Sequence, residues 1–260
     1  MKIKRKRAKI LNLVLFSHGD VYDQMKELSI EFHSKYDDFV DTLFYMYDSR
    51  VSGEYLLDPE KRMLYIRGKE TYIPGILKKT VKAFQYIGKL EKDNDKRYDY
   101  IIRTNISTFV DFCKLEELLT EDPIDYGGGW KLGFGKDWRD PYNGIHDSQY
   151  ADIPYPSGTS MIFSREFFDK IMGKIDRIDE DVVDDVAIGK LVSIYLPGHT
   201  LYDYRPFYFQ TDETLLKIKN KKEKEEVKKH IFYRNKALQR ENDLEIMKKL
   251  IEFYQDKEDE

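Results

Sequence analysis

Three short apolar runs, Ile10 to Phe16, Thr42 to Tyr47 and Tyr98 to Arg103, are separated by segments whose apolar residues recur at helical spacing. Val21, Met25, Leu28 and Phe32 fill the first interval. Leu77, Val81, Phe84 and Ile87 fill part of the second, behind Pro74, whose fixed φ suits a helix's first turn. Alternation of this kind predicts an α/β fold with a mostly parallel central sheet and helices on both faces, because a crossover helix is what returns the chain to run parallel to its previous strand. In such sheets ligands bind beyond the carboxyl ends of the strands. Topology alone therefore nominates Phe16 to Asp20 and Arg103 to Asp111, both polar where a core would be apolar.

Several classes fall away on charge and composition. Lys plus Arg (44) nearly balance Asp plus Glu (48), leaving a net charge of −4, so no global basic field argues for nucleic acid or an anionic membrane. The single cysteine, Cys113, leaves no intramolecular disulfide and no cysteine-rich zinc module. No apolar run approaches the roughly 18 residues of a membrane span. Lys2, Lys4, Arg5, Lys6, Arg7 and Lys9 precede the first apolar run as a signal peptide's charged region would, but turn residues Ser17 to Asp20 follow in place of a cleavage site. The expectation is a cytoplasmic protein. His18, His33, His146, His199 and His230 are scattered without a zinc-hydrolase spacing, and neither a G-x-S-x-G elbow nor a P-loop is present.

Periodicity stops between Asp122 and Pro156, a stretch rich in glycine and aromatics that reads as a long loop or irregular β excursion facing a substrate. A short strand, Met161 to Phe163, then leads to Ser164, placed to cap a helix through Phe167, Phe168 and Ile171. Another helix is predicted to begin near Asp184, where Asp179, Glu180, Asp181, Asp184 and Asp185 gather at the end that the helix dipole makes favourable for negative charge. From Lys217 the chain reads as a charged run, solvated or mobile, before an amphipathic helix carrying Leu244, Met247, Leu250, Ile251 and Tyr254. Only that final helix is expected to dock.

Three stretches together carry a family resemblance. RTNISTFVD (Arg103 to Asp111) follows a predicted strand, YPSGTSMIFSREFFDKI spans Tyr155 to Ile171, and DDVAIGKLV opens the helix at Asp184. In order and spacing they resemble inverting GT-A glycosyltransferases of the β1,3-galactosyltransferase and Fringe type. There the first stretch reads Lys-Thr-Asp-Asp-Asp-Val-Phe-Val-Asn, the second carries Tyr-Pro, Ser-Gly-Gly-Gly-Tyr and Leu-Ser-Arg, and the third Glu/Asp-Asp-Val-x-x-Gly. Thr104, Phe109 and Val110 match, whereas Asn105, Ile106 and Ser107 stand where the acidic triplet would be.

The resemblance covers about residues 8 to 195. It implies a GT-A-like nucleotide-binding domain over 1–216 and a charged helical extension over 217–260 packing on it. The implied reaction moves a sugar from a nucleotide-diphosphate donor, a UDP-sugar first among them, to a glycan or other acceptor hydroxyl with inversion. Asp185 falls on the family's general base, with Asp184 beside it. Phe16, Ser17 and His18, with Arg103, Thr104, Asn105 and Ser107, fall around the nucleotide-sugar. Trp130, Phe134, Trp138, Tyr155, Gly158 and Ser160 are candidates for sugar or acceptor contact. The family's Mn²⁺ or Mg²⁺ has no anionic ligand at Ser107, so three alternatives stand open: a metal-independent enzyme, an ion held by Asp111, or a silent sugar-nucleotide or glycan-binding protein. Without metal, cations must offset the departing diphosphate, and His230, Arg234, Lys236 and Arg240 lie close together in sequence, with Arg103 to assist.

Overall fold

The computed structural model describes residues 7–129, 131–132 and 148–255. Strand β1 (Ile10–Leu15) leads through helix α1 (Asp20–His33) to β2 (Val40–Tyr47). The edge pair β3 (Tyr55–Asp58) and β4 (Met63–Ile66) is antiparallel, and α2 (Gly75–Asn94) carries the chain back to β5 (Tyr100–Asn105). β1 is parallel to both β2 and β5; the crossover through α1 goes to one side of it, and that through α2 returns the chain from β4 to the other. Alternation along β1 separates two cores. Ile10, Val14 and Phe16 pack with Met25 and Phe32 of α1, while Leu11 and Leu13 pack with Phe84 and Ile87 of α2. The apolar periodicity thus fixes which helix covers which face.

After β5 come β6 (Thr108–Val110), α3 (Phe112–Glu121), β7 (Tyr126–Gly128), β8 (Lys131–Leu132), β9 (Tyr155–Pro156), β10 (Ser160–Ser164), α4 (Arg165–Met172), α5 (Asp184–Tyr195) and β11 (Leu201–Asp203). The main sheet has eight strands in the order β11-β7-β10-β5-β1-β2-β4-β3. β10 lies antiparallel between β5 and β7. Ser164 caps α4 as expected, its Oγ accepting from the Phe167 N–H at 3.2 Å.

Two expectations need correction. The glycine-rich stretch after Asp122 is not irregular throughout, because Gly127 and Gly128 belong to β7. They are glycines for lack of space: a Cβ on Gly128 would lie 2.2 Å from the Ser160 carbonyl oxygen, and one on Gly127 2.9 Å from that of Tyr202. The second correction concerns the tail. After β12 (Tyr208–Thr211) and α6 (Lys221–Lys228), β13 (Phe232–Asn235) inserts between β12 and β6 to make a three-stranded sheet, and α7 (Arg240–Gln255) follows. Phe232 and Tyr233 are fully buried, so docking is not confined to the last helix. α7 packs on α1 through Ile246, Met247, Leu250 and Phe253. No helix of the described residues is long and apolar enough to cross a membrane.

Candidate functional site

β1 lies between two parallel neighbours, β2 and β5, and the carboxyl end of such a strand is where a doubly wound sheet leaves a crevice for a ligand. Phe16, Ser17 and His18 follow directly. The Phe16 ring is enclosed, edge-on to Phe44 at 6.2 Å, so it serves the core. Ser17 and His18 remain partly exposed, and His18 Nδ1 pairs with Asp23 Oδ1 at 3.0 Å.

At the end of β5, Thr104 is fully buried and donates to Asn12 Oδ1 at 2.9 Å, which binds it to the sheet interior. Asn105 is half-buried at the rim. Its Oδ1 accepts from Thr108 Oγ1 (2.8 Å), Ser107 Oγ (3.3 Å) and an Arg234 guanidinium N–H (3.2 Å). The last contact depends on the small sheet, in which pairing of β13 with β6 sets Arg234 opposite Thr108. Among the described residues Arg234 faces no carboxylate at ion-pair distance. Burial, helped by Arg240, pulls its pKa down to about 10. A half-buried guanidinium without a counter-charge is suited to an anion.

The carboxylates at the start of α5 divide the work. Asp184 is 3% exposed and its Oδ2 is held by Arg103 Nη2 at 2.7 Å and by Thr80 Oγ1 at 2.9 Å, with Tyr45 Oη 2.8 Å behind Thr80. Arg103 also donates to the Gly158 carbonyl, and its buried Nε finds no partner among the described residues. Asp185 retains some exposure. Its Oδ2 accepts from the Gly158 N–H and its Oδ1 from the Val186 N–H, both at 2.8 Å. A Cβ on Gly158 would crowd Asp185 Oδ2 at 3.2 Å, so glycine is what lets that loop close over the carboxylate. Desolvation first, then repulsion from Asp184, push the Asp185 pKa up to about 6, despite two N–H donors and nearby Arg103. A helix N-terminus ordinarily lowers carboxylate basicity; here burial and a like charge restore it.

The other nominated residues go elsewhere. Tyr155 is buried against α5, where a Cβ on Gly189 would meet it at 2.4 Å. Ser160 is fully buried, its Oγ accepting from Tyr208 Oη at 2.5 Å and from the Gly129 N–H at 3.1 Å. His230 turns back on its own chain, its Nδ1 3.1 Å from the Val227 carbonyl, and Lys236 is exposed beyond β13. Arg240 pairs with Asp243 at 2.7 Å. Trp130, Phe134 and Trp138 lie outside the described residues.

Among the described residues, the groups nominated for a divalent ion are already engaged. Asn105 Oδ1 already serves three donors, one of them cationic. Asp111 caps α3, and its oxygens accept from Lys114 Nζ (2.8 Å), Tyr36 Oη (3.1 Å) and Tyr254 Oη (3.1 Å). Among the described residues no cluster of His, Cys, Asp and Glu is arranged to hold a metal.

Sequence reasoning missed a further charged pair. Lys79 Nζ, with a side chain 1% exposed, lies 2.7 Å from Glu70 Oε2, 2.9 Å from the Phe16 carbonyl oxygen and 3.2 Å from Ser17 Oγ. A signal was present: Lys79 stands one turn before Ala83, Tyr86 and Leu90, heading a stripe of α2 that is otherwise buried and uncharged. Several cavities of the described surface lie at the opposite end of the strands. One of about 340 Å³ is lined by Leu11, Leu43, Leu57, Leu90 and Tyr98.

No protein-family model matches the chain, and no curated protein matches it. Among solved structures it is similar to a glycosyltransferase involved in the glycosylation of the major capsid of PBCV-1, at 13% identity and a TM-score of 0.45, covering 92% of this chain and 98% of that one. A second is the mannosyltransferase PcManGT from Pyrobaculum calidifontis, in complex with GDP-Man and Mn²⁺, at 10% identity and a TM-score of 0.43, covering 76% of this chain and 55% of that one.

Proposed function

We propose that the chain is a glycosyltransferase that moves a sugar from a nucleotide-diphosphate donor to an acceptor hydroxyl. The observation that carries this reading is Asp185: a carboxylate at a rim of the crevice, with raised basicity and an orientation fixed by Gly158, beside a second carboxylate neutralised by Arg103. A group that must accept a proton near neutral pH needs this environment.

In the proposed reaction the acceptor hydroxyl gives its proton to Asp185 as its oxygen forms a bond to the anomeric carbon. The bond from that carbon to the diphosphate oxygen breaks on the opposite face, which inverts the centre. Negative charge then builds on the diphosphate, and Arg234, with Asn105 orienting it, supplies the compensating cation. The loop Ser17–His18 borders the nucleotide. Asp184 and Thr104 hold parts of the wall. No step passes through a divalent ion.

The test is thermal stabilisation by UDP, GDP, TDP and CMP and their sugars, each with Mn²⁺ and with EDTA. A ligand at 100 times its Kd adds about 2.7 kcal/mol. Stabilisation by one nucleotide family that survives EDTA and is lost in Arg234→Gln is the expected result. No shift with any nucleotide abandons the donor assignment.

A further inference from the structure

From the contacts of Lys79 we infer that this enclosed lysine is a positioning residue for the donor: a strut that fixes the nucleotide-bordering loop without touching the ligand. The inference rests on the reading of that crevice as a nucleotide site.

With its side chain 1% exposed, Lys79 has no path to a bound molecule, so any role must run through what it holds. An ammonium has three protons, and the acceptors around this one come from two separate places in the chain. The Phe16 carbonyl and Ser17 hydroxyl, at 2.9 and 3.2 Å, belong to the turn leaving β1. Both Glu70 oxygens, at 2.8 and 2.7 Å, come from the loop ahead of α2. Glu70 Oε1 also accepts from the Tyr47 N–H at 2.9 Å, which extends the link to the end of β2.

The carboxyl ends of two neighbouring parallel strands and the start of a crossover helix are therefore tied at one atom. The next residue, Thr80, donates to Asp184 at 2.9 Å, so one turn of α2 supports the loop on one side and the acid pair on the other. Beyond Lys79, the Phe16 N–H reaches the Tyr45 carbonyl at 3.1 Å and the Gly19 N–H reaches Asp23 Oδ2 at 3.4 Å, whereas the Ser17 side chain is held by Lys79. Gly19 at the N-terminus of α1 offers no side-chain cap, and His18 points to partly exposed Asp23. An enclosed charge is costly unless it is fully paired, and here Glu70 supplies the counter-charge while the turn leaving β1 supplies the remaining acceptors.

The experiment compares the full chain with Lys79→Met and with Ser17→Ala, which removes one end of the strut and leaves the buried charge pair intact. Hydrogen exchange should quicken at Ser17 to Gly19 and at the Tyr47 amide in Lys79→Met. Donor KM should rise about tenfold or more with kcat within about twofold, the mark of lost binding rather than lost chemistry. Ser17→Ala should raise donor KM in the same sense, and joining it to Lys79→Met should add less than its separate effect. Unchanged exchange at those amides overturns the inference. Faster exchange with an unmoved donor KM overturns the role in positioning donor. If the unaltered protein binds no nucleotide while exchange responds to Lys79→Met, the strut stands and the reading of the crevice is what has failed.

Discussion

At Asp185 the same surroundings that raise basicity also weaken the fold, and the two effects can be measured separately. Acting as the proposed base it must be ionised, so kcat/KM should fall about tenfold per unit as pH drops below about 6, whereas an unperturbed aspartate would put that limb near 3.8. A pH–rate profile decides. Asp185→Asn should lower kcat by about 10²–10⁴-fold while leaving nucleotide affinity in place. The same variant should raise the melting temperature at pH 7.5, since a folded-state pKa above the unfolded one is a stability cost present above pH 6 and relieved toward 3.8. His33 works with the opposite sign. It is enclosed, accepts from the Val110 N–H at 3.2 Å, and desolvation holds its pKa down at about 3. Its contribution is complete above 6.5 and is lost by about 1.4 kcal/mol per unit as pH falls toward 3. Between pH 4 and 6 the two residues offset one another, so denaturant titrations of Asp185→Asn should show a steeper loss on acidification than the unaltered chain. His33→Gln, which keeps an acceptor without the titration, should flatten it.

Among the elements, one substitution at two glycines should have opposite signs. Gly88 lies on the exposed side of α2 with nothing within 4 Å of an added Cβ, so Gly88→Ala should stabilise by about 1 kcal/mol through helix propensity. Gly128→Ala drives a methyl into the Ser160 backbone at 2.2 Å and should cost about 1–3 kcal/mol or more, a fall of several degrees in Tm. Thermal melts of both variants check this. The contrast also shows what was legible. Wherever one face of an element meets one core, as along β1, α1, α2 and α7, periodicity announced element and orientation. β7 was hidden because its glycines answer to neighbours distant in sequence, Tyr202 and Ser160, and a strand whose one side chain is Tyr126 has no alternation to read. β13 was hidden by the charged run before it, although Phe232 and Tyr233 are core.

Across the whole molecule, the site was legible in part for a similar reason. Asp185 could be nominated because its stretch resembles the family's Glu/Asp-Asp-Val element, and Arg234 because it stands in a basic run. Nothing local told that Arg234 would meet Asn105 while His230 and Lys236 turned away, since that follows from the register of β13 on β6. Lys79 heads an apolar stripe that could have flagged it, but its partners Phe16, Ser17 and Glu70 follow only from the fold. The long reach of these contacts bears on timing. Ser17, Asn105 and Asp185 become part of the chain in that order, yet the guanidinium that meets Asn105 is 129 residues further on. A nascent or clipped chain ending before β13 would lack the cation proposed to face the leaving group, together with Phe232 and Tyr233 of the core. Synthesis itself then works as a clock: the proposed chemistry can begin only after the segment that closes the small sheet has left the ribosome and paired.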